Sequence, residues 1–219
     1  MAFANKMVTE QERAQSPGEE IANAVSHGVG LIASLVAAPF LIVSTLRGEN
    51  PWNIIGAGVF TGALVLLYLA STLYHALPKN KAKRVFQVLD HGAIFLLIAG
   101  TYTPFTLGVL RGPWGWTLLS LVWGLAIFGA AMTAMSAMER PWLSTGLYLA
   151  MGWLILVAVR PLWLHMPFDG ILWLLAGGLF YTGGVAFYAA KRVRYSHFVW
   201  HLFVIAGATC HFFAVLWYA

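Results

Sequence analysis

Two histidines near the start of the last apolar stretch carry the clearest chemical pattern in the sequence. His197 and His201, in Ser-His-Phe-Val-Trp-His, are four residues apart and therefore share one face of a helix. Such a pair can chelate one ion, and a third histidine from another helix completes the protein ligand set of a catalytic zinc site, whose fourth position stays open. An HxxxH pair by itself is weak evidence, because histidines at a membrane interface also bond to loop carbonyls.

The third histidine and an acid come from two other apolar stretches. His75 ends the second stretch four residues after Ser71, so these two side chains share a helical face. Asp90 opens the third stretch after the basic segment 78–84, which returns the chain to the same surface. We therefore expect these side chains to lie at the depth of the histidine pair. An amino-terminal helix cap is an alternative role for Asp90, and the two roles are compatible.

Three polar residues near the start of the first apolar stretch recur at helical spacing. Glu20, Asn23 and His27 are expected to hold a metal-ligating side chain or the helical hairpin in place. For His27, an interfacial histidine bonded to the backbone is an equally good interpretation. His91 follows Asp90 directly and is expected on a different face of the helix, against a neighbouring helix or a lipid headgroup.

His211 lies ten residues beyond His201 and is too deep to join the same ion. We interpret it as a histidine that is hydrogen-bonded between two helices. The glycines Gly58 and Gly62, and the pairs Gly177-Gly178 and Gly183-Gly184, are assigned a packing role, because small residues at helical spacing let helices approach closely.

Seven stretches without Asp, Glu, Lys or Arg are available to position these residues. Only 10% of the residues are charged and 60% are hydrophobic, against about a quarter charged in a soluble domain. Crossing ~30 Å of hydrocarbon as a helix takes about twenty residues. The sequence predicts an all-α membrane protein with a polar cytoplasmic tail over 1–19 and one seven-helix domain over 20–219. The stretches are 21–46, 50–78, 91–110, 112–138, 141–159, 170–190 and 195–219.

The distribution of positive charge predicts the orientation in the membrane. Of the 13 Lys and Arg residues, only Arg47, Arg111 and Arg160 fall on the side opposite the amino terminus. Short cytoplasmic loops retain positive residues, so we expect a cytoplasmic amino terminus and an extracytoplasmic carboxyl terminus. The predicted site then lies near the cytoplasmic face of a bacterial inner membrane. The net charge of +5 is explained by topology, and no nucleic-acid partner is expected.

Five motifs together resemble the haemolysin III branch of the progestin and adipoQ receptor (PAQR) family, from Glu20 to the end of the chain. By this resemblance, His75, His197 and His201 would be zinc ligands, and Asp90 with Ser71 would be the acid and its companion beside the ion. The resemblance implies seven helices, a cytoplasmic amino terminus and a cavity open to the bilayer. The motifs are Glu20-Ile-Ala-Asn-Ala-Val-Ser-His27-Gly, Ser71-Thr-Leu-Tyr-His75, Leu89-Asp90-His91-Gly, Gly100-Thr-Tyr-Thr-Pro-Phe105 and His197-Phe-Val-Trp-His201.

Receptor members of this family are associated with ceramide hydrolysis, and the wider superfamily includes alkaline ceramidases. Our leading hypothesis is therefore a zinc-dependent hydrolase of a membrane lipid amide or ester that contributes to lipid homeostasis. The chain lacks the long amino-terminal segment of the receptors, so a hormone-receptor role is not expected. A non-enzymatic, zinc-stabilised membrane sensor is the alternative. A haemolysin-type pore ranks last, because the outer half offers few polar residues.

Overall fold

The computed structural model describes residues 13–46, 50–135 and 141–219, which contain helices and no strand. Seven spans are long and apolar enough to cross a membrane, and the fifth, Trp142–His165, combines α5, a 3-10 helix (Trp153–Ala158) and α6. The chain is therefore an all-helical integral membrane protein. The helices are α1 (Pro17–Thr45), α2 (Trp52–Ala76), α3 (Lys81–Leu107), α4 (Pro113–Ala134), α5 (Pro141–Gly152), α6 (Val159–His165), α7 (Phe168–Ala189) and α8 (Ser196–Tyr218).

Three helices, α1, α3 and α7, begin earlier than the charge-free stretches predict, and the difference is largest for α1 and α3. Ser16 caps α1 in a capping box with Glu19, so the helix starts at Pro17 and includes acidic residues in its first turn. Asn80 caps α3 and accepts a hydrogen bond from the Lys83 backbone N–H at 2.9 Å. The basic residues therefore lie on the first turns of α3 and not in a loop. Asp90 lies inside α3, so its interpretation as a helix cap is wrong.

The physical reason is that a charge-free stretch measures the hydrocarbon core and not the helix. Charged side chains are tolerated where a helix extends beyond the core into the interface. The same effect moves the end of the fifth span, predicted at residue 159, beyond Arg160 to His165.

The fifth span is interrupted at its middle by the 3-10 helix, which the sequence did not predict. Tyr102 on α3 reaches this break with its hydroxyl group. The hydroxyl accepts a hydrogen bond from the Ile155 N–H at 2.8 Å and lies 2.9 Å from the carbonyl oxygens of Met151 and Gly152. These bonds satisfy backbone groups that the break would otherwise leave unpaired in the membrane.

Close helix contacts occur at some predicted glycines and not at others. A Cβ on Gly177 would lie 2.3 Å from His211 Nε2, and one on Gly184 would lie 2.7 Å from Trp200 Cε3, so α7 and α8 approach closely at both. At Gly58 and Gly62 a Cβ would meet nothing within 4 Å, so their predicted role in close packing is wrong. Both glycines are exposed on the surface formed by the described residues.

The two ends of the bundle differ in charge and are joined by different contacts. Glu19 accepts hydrogen bonds from the Arg13 guanidinium and, at 2.8 Å, from the Tyr195 N–H, which joins the starts of α1 and α8. At the opposite end, Asn53 Nδ2 donates to the Ala219 carbonyl at 3.3 Å. We call the first the basic end; it holds Lys79, Lys81, Lys83, Arg84, Lys191, Arg192 and Arg194.

Candidate metal centre

The three histidines predicted as metal ligands meet at the basic end of the bundle. His75 comes from the last turn of α2, and His197 and His201 come from the first two turns of α8. One ring nitrogen from each lies within 4.8 Å of the others. His75 and His201 are buried and His197 is half-buried. This is a donor set that one ion can bridge, although the ligand role itself stays a prediction.

His75 is hydrogen-bonded to Glu20, and Glu20 is in turn paired with Lys83. Its Nδ1 donates to Glu20 Oε2 at 2.8 Å, and Lys83 Nζ lies 3.2 Å from the other carboxylate oxygen. Lys83 also donates to the Tyr74 carbonyl at 2.7 Å. His75 Nε2 is buried and has no hydrogen-bond partner in the part of the chain that the structure describes. A carboxylate on one ring nitrogen and a free lone pair on the other is the arrangement of a metal-ligating histidine.

His201 is oriented by the backbone of α1. Its Nδ1 lies 3.2 Å from the Asn23 carbonyl and 3.1 Å from Ser26 Oγ, and the Ser26 hydroxyl donates to the same carbonyl at 2.9 Å. The Asn23 side-chain nitrogen lies 3.5 Å from His75 Nδ1. Glu20 and Asn23 therefore contact candidate ligands, as the sequence predicted. Ser26 was missed, although its position three residues after Asn23 indicates the same helix face.

His27 lies beside the cluster in an unexpected way. Its ring stacks on His201 with centroids 3.6 Å apart and an interplanar angle of 8°. Both of its ring nitrogens are buried without a hydrogen-bond partner among the described residues. It contacts the candidate ligand His201 through its ring, and the role of holding a ligand in place stays a prediction. The alternative, a hydrogen-bonded interfacial histidine, is not seen among the described residues.

Asp90 and Ser71 face one another on adjacent helices and are both buried. The Ser71 hydroxyl lies close to the Asp90 carboxyl, although it makes no hydrogen bond of normal geometry within the described ranges. Both residues line the same cavity as His197 and His201. The predicted acid and serine are therefore brought to the histidine cluster.

The cavity is long and mostly apolar. It has a volume of about 120 Å³ and is walled by the 3-10 helix and by α1, α2, α3, α5, α7 and α8. On α8 its lining runs from His197 to His211, a distance of about 21 Å at 1.5 Å per residue. It is therefore polar at the basic end, where the histidines lie, and apolar over most of its length.

The two remaining membrane histidines lie outside the cluster. The His91 carbonyl accepts a hydrogen bond from Tyr148 at 2.9 Å, and its ring lies against Tyr74 and the cavity. Its predicted contact with a neighbouring helix is thus present. His211 Nε2 donates to the Leu174 carbonyl on α7 at 3.3 Å, as predicted for an interhelical histidine, but its Nδ1 is unpaired among the described residues.

The residues present fit a zinc ion. Because the Nδ1 atoms of His75 and His201 make hydrogen bonds, the Nε2 atoms of the neutral rings have lone pairs that could bind a metal ion. The Nε2 atom of His75 is buried and unpaired among the described residues, and a bound metal would satisfy it. Three imidazole donors with one open position are the ligand set of catalytic zinc sites. The three histidines could therefore bind one metal ion.

Comparison with known proteins identifies the family of the chain. The family described as "Haemolysin-III related" matches residues 16–212. The chain is 43% identical to the Hemolysin-3 homolog of Bacillus subtilis (strain 168) and 44% identical to Hemolysin-3 of Bacillus cereus, over 200 residues in each case. These matches cover 91% of this chain, and 94% and 91% of the two relatives.

A more distant relative is the human Monocyte to macrophage differentiation factor, 25% identical over 203 residues that cover 90% of this chain and 83% of the relative. No solved structure matches the chain. The chain belongs to the Haemolysin-III related family, the haemolysin III branch of the PAQR family, which confirms the resemblance seen in the five sequence motifs.

Proposed function

We propose that this protein is a zinc-dependent hydrolase of a membrane lipid amide or ester. The observation that carries the proposal is the placement of His197, His201, Asp90 and Ser71 at the polar end of one long apolar cavity, with His75 directly beside the two histidines. A metal site, an acid and a free hydroxyl beside a hydrocarbon-lined space are the parts that hydrolysis of a lipid carbonyl group needs.

His75, His197 and His201 would hold the ion. Bound there, Zn²⁺ would polarise the substrate carbonyl and lower the pKa of water towards ~7. Glu20 would fix the tautomer of His75 through its Nδ1, and Lys83 Nζ, 3.2 Å from the other carboxylate oxygen, would hold that carboxylate in place. The Asn23 carbonyl would fix the tautomer of His201 in the same way.

Asp90 is assigned the role of general base and acid. It would accept a proton as water adds to the carbonyl carbon and return that proton to the departing amine or alcohol. The unpaired Ser71 hydroxyl would donate a hydrogen bond to the oxygen on which negative charge develops. Because both groups are buried, these interactions would be stronger than in water.

The cavity would take the acyl chain of the substrate. One leaflet offers chains about 15 Å long, half of the ~30 Å hydrocarbon core, and the cavity extends over a comparable distance along α8. Its apolar lining suits hydrocarbon, and the polar end of a lipid would reach the histidines. We place the basic end in the cytoplasm of a bacterial inner membrane because positive residues are retained there.

The test is turnover by purified, zinc-loaded protein in vesicles that contain N-acyl and O-acyl lipids, with released fatty acid measured by mass spectrometry. Asp90→Asn should lower kcat by about 10²–10⁴-fold, and Ser71→Ala by about 10²-fold. Both variants should keep zinc. Asp169→Asn, in the first turn of α7, is the matched control and should keep full activity.

Zinc-loaded protein that hydrolyses none of these lipids would contradict the proposal, as would unchanged lipid profiles in cells carrying Asp90→Asn. The zinc-stabilised sensor would then be favoured, with His75→Ala lowering stability and Asp90→Asn without effect. Leakage of vesicles that depends on this protein would instead favour the pore.

A further inference from the structure

The deep end of the cavity holds two polar side chains with unpaired atoms. Tyr181 comes from α7 and His211 from α8, and their ring centroids are 5.6 Å apart. The Tyr181 hydroxyl and His211 Nδ1 are both buried and lack a hydrogen-bond partner in the described part of the chain. Both residues line the cavity that begins at the histidine cluster. Unpaired polar groups are costly inside a membrane, so they indicate a group that the cavity is made to receive.

Two glycines fix this pair from both sides. The Tyr181 ring covers Gly207 of α8, where a Cβ would lie 2.9 Å from the ring. The His211 ring covers Gly177 of α7, where a Cβ would lie 2.3 Å from Nε2. On each helix the glycine and the polar residue are four positions apart and share a face. Each helix thus supplies one polar side chain and the space for the other.

The chemistry of the two free atoms limits what can bind. His211 Nε2 donates to the Leu174 carbonyl at 3.3 Å, so Nδ1 of the neutral ring is an acceptor. The Tyr181 hydroxyl is a donor. A hydroxyl group satisfies both, because it can donate to His211 and accept from Tyr181. A carbonyl group would satisfy Tyr181 alone and leave the histidine unpaired.

Other polar side chains in the same wall are already satisfied. Thr101 donates to the Leu97 carbonyl at 2.8 Å, and Thr182 donates to the Gly178 carbonyl at 2.7 Å. Each bonds within its own helix and offers no unmade donor to the cavity. At the deep end of the cavity, the free donor and acceptor therefore belong to Tyr181 and His211. The other atoms of the lining that are unpaired among the described residues, on His27 and Ser71, lie at the opposite end, beside the histidine cluster.

The distance between the two ends of the cavity determines how far a ligand's hydroxyl group would lie from its carbonyl carbon. His201 and His211 are ten residues apart on α8, which is about 15 Å at 1.5 Å per residue. An extended chain advances about 1.2 Å per bond, by analogy with the backbone, so the gap corresponds to roughly a dozen bonds.

We propose that Tyr181 and His211 form a hydroxyl-binding subsite, and that the lipid ligand carries a hydroxyl group on its acyl chain roughly a dozen bonds from its carbonyl carbon. The chain length follows from placing the carbonyl at the histidine cluster, so the proposal rests on the proposed function in that respect. It adds a substrate class: mid-chain hydroxylated acyl lipids.

The test compares three acids as probes of zinc-loaded protein in detergent: 12-hydroxyoctadecanoate, octadecanoate and 3-hydroxyoctadecanoate. Affinity is measured by displacement of a fluorescent fatty acid. The 12-hydroxy acid should bind about ten-fold more tightly than octadecanoate, the gain expected from two modest hydrogen bonds. The 3-hydroxy acid should bind like octadecanoate, because its hydroxyl lies far from the subsite.

Tyr181→Phe should bring the ratio of the 12-hydroxy acid to octadecanoate close to one. Tyr148→Phe is the matched control, since it makes the same change in the same cavity where the hydroxyl already donates to the His91 carbonyl. It should leave the ratio unchanged.

Equal binding of the three acids by wild-type protein would overturn the subsite and indicate that water fills it. A preference that survives Tyr181→Phe would overturn it as well, and so would a failure of all three acids to bind. These results are separate from turnover. Protein that prefers the 12-hydroxy acid but hydrolyses no lipid would keep the subsite and lose the hydrolase, and a hydrolase without the preference would do the reverse.

Discussion

The α2–α3 pair and the fifth span differ in how tightly they are packed. On α2, a Cβ at Gly56 would lie 2.6 Å from the Pro104 Cα of α3, and on α3 one at Gly100 would lie 2.7 Å from Ala63. In α5, a Cβ at Gly146 or Gly152 would meet nothing within 4 Å. The fifth span also packs sparsely against α3, α4 and α7 and is broken by the 3-10 helix.

The difference separates the two tasks of the molecule. His75 and Asp90 lie on α2 and α3, the two helices whose backbones approach closely at Gly56 and Gly100. Candidate ligands need such support, because a site held loosely loses its geometry. The fifth span contributes wall to the cavity, where adaptation to an acyl chain is an advantage. The following four predictions test this division.

The largest effect is expected from removal of a ligand. His75→Ala and His201→Ala should each lower zinc affinity by more than about 100-fold, because even partners of ligands contribute about 10–100-fold. Metal content of purified protein is the measurement. His165→Ala changes an exposed histidine at the end of α6 and should retain zinc. Full occupancy in His75→Ala would remove this residue from the ligand set.

Loss of Glu20, the acid that hydrogen-bonds to the candidate ligand His75, should lower zinc affinity by less. Glu20→Gln removes the charge that holds His75 Nδ1 at 2.8 Å and should weaken zinc binding about 10–100-fold. Competition with a chelator measures the affinity. Lys83→Met, which removes the partner of Glu20 and not of His75, should act in the same direction but less. A zinc affinity in Glu20→Gln equal to wild type would show that packing alone orients His75.

Glycine substitutions compare the packing of the two regions directly. Gly56→Ala forces a Cβ against the backbone of α3 and should destabilise the protein by about 1–3 kcal/mol. Gly152→Ala in the fifth span should change stability by no more than about 0.5 kcal/mol. Thermal unfolding of both variants in detergent measures the two changes in stability. Equal losses would mean that the fifth span is as tightly packed as α2 and α3.

The smallest effect is expected at the break in the fifth span. Tyr102→Phe removes the hydroxyl that bonds the Ile155 N–H and the carbonyls beside it, and should cost about 1 kcal/mol. Hydrogen exchange should rise in residues 153–158 and stay unchanged in α2. Thr101→Val, which removes a hydroxyl bonded within α3, is the control and should leave exchange in 153–158 unchanged. Faster exchange across the whole bundle would contradict a local role.

Much of the candidate site follows from the sequence because it depends on local spacing. The four-residue interval between His197 and His201 places both on one face, and the interval between Ser71 and His75 does the same on α2. Because the chain reverses direction at each of the seven spans, the end of α2 and the starts of α3 and α8 lie on the same side of the membrane. The length and composition of apolar stretches therefore decide the number of helices and the depth of their polar residues.

The ends of the helices were harder to predict from the sequence, because helix caps and turns at the membrane interface can contain charged residues. Asn80 starts α3 ten residues before Asp90, where the charge-free count begins only at residue 91. The hydrogen bond from Ser26 to the Asn23 carbonyl and the stacking of His27 on His201 also depend on how α1 rotates against α8. The spacing of residues along one helix does not determine how that helix is rotated against another.

The sequence by itself determined the seven spans, the family and the residues of the histidine cluster, since hydrophobic length and helical periodicity are local properties. Only the tertiary structure decided the cavity, the break in the fifth span and the pairing of Tyr181 with His211. That pairing requires Gly177 and Gly207 to lie opposite side chains of the other helix. Contacts of this kind are fixed by the register of two helices, which the sequence of either helix alone does not contain.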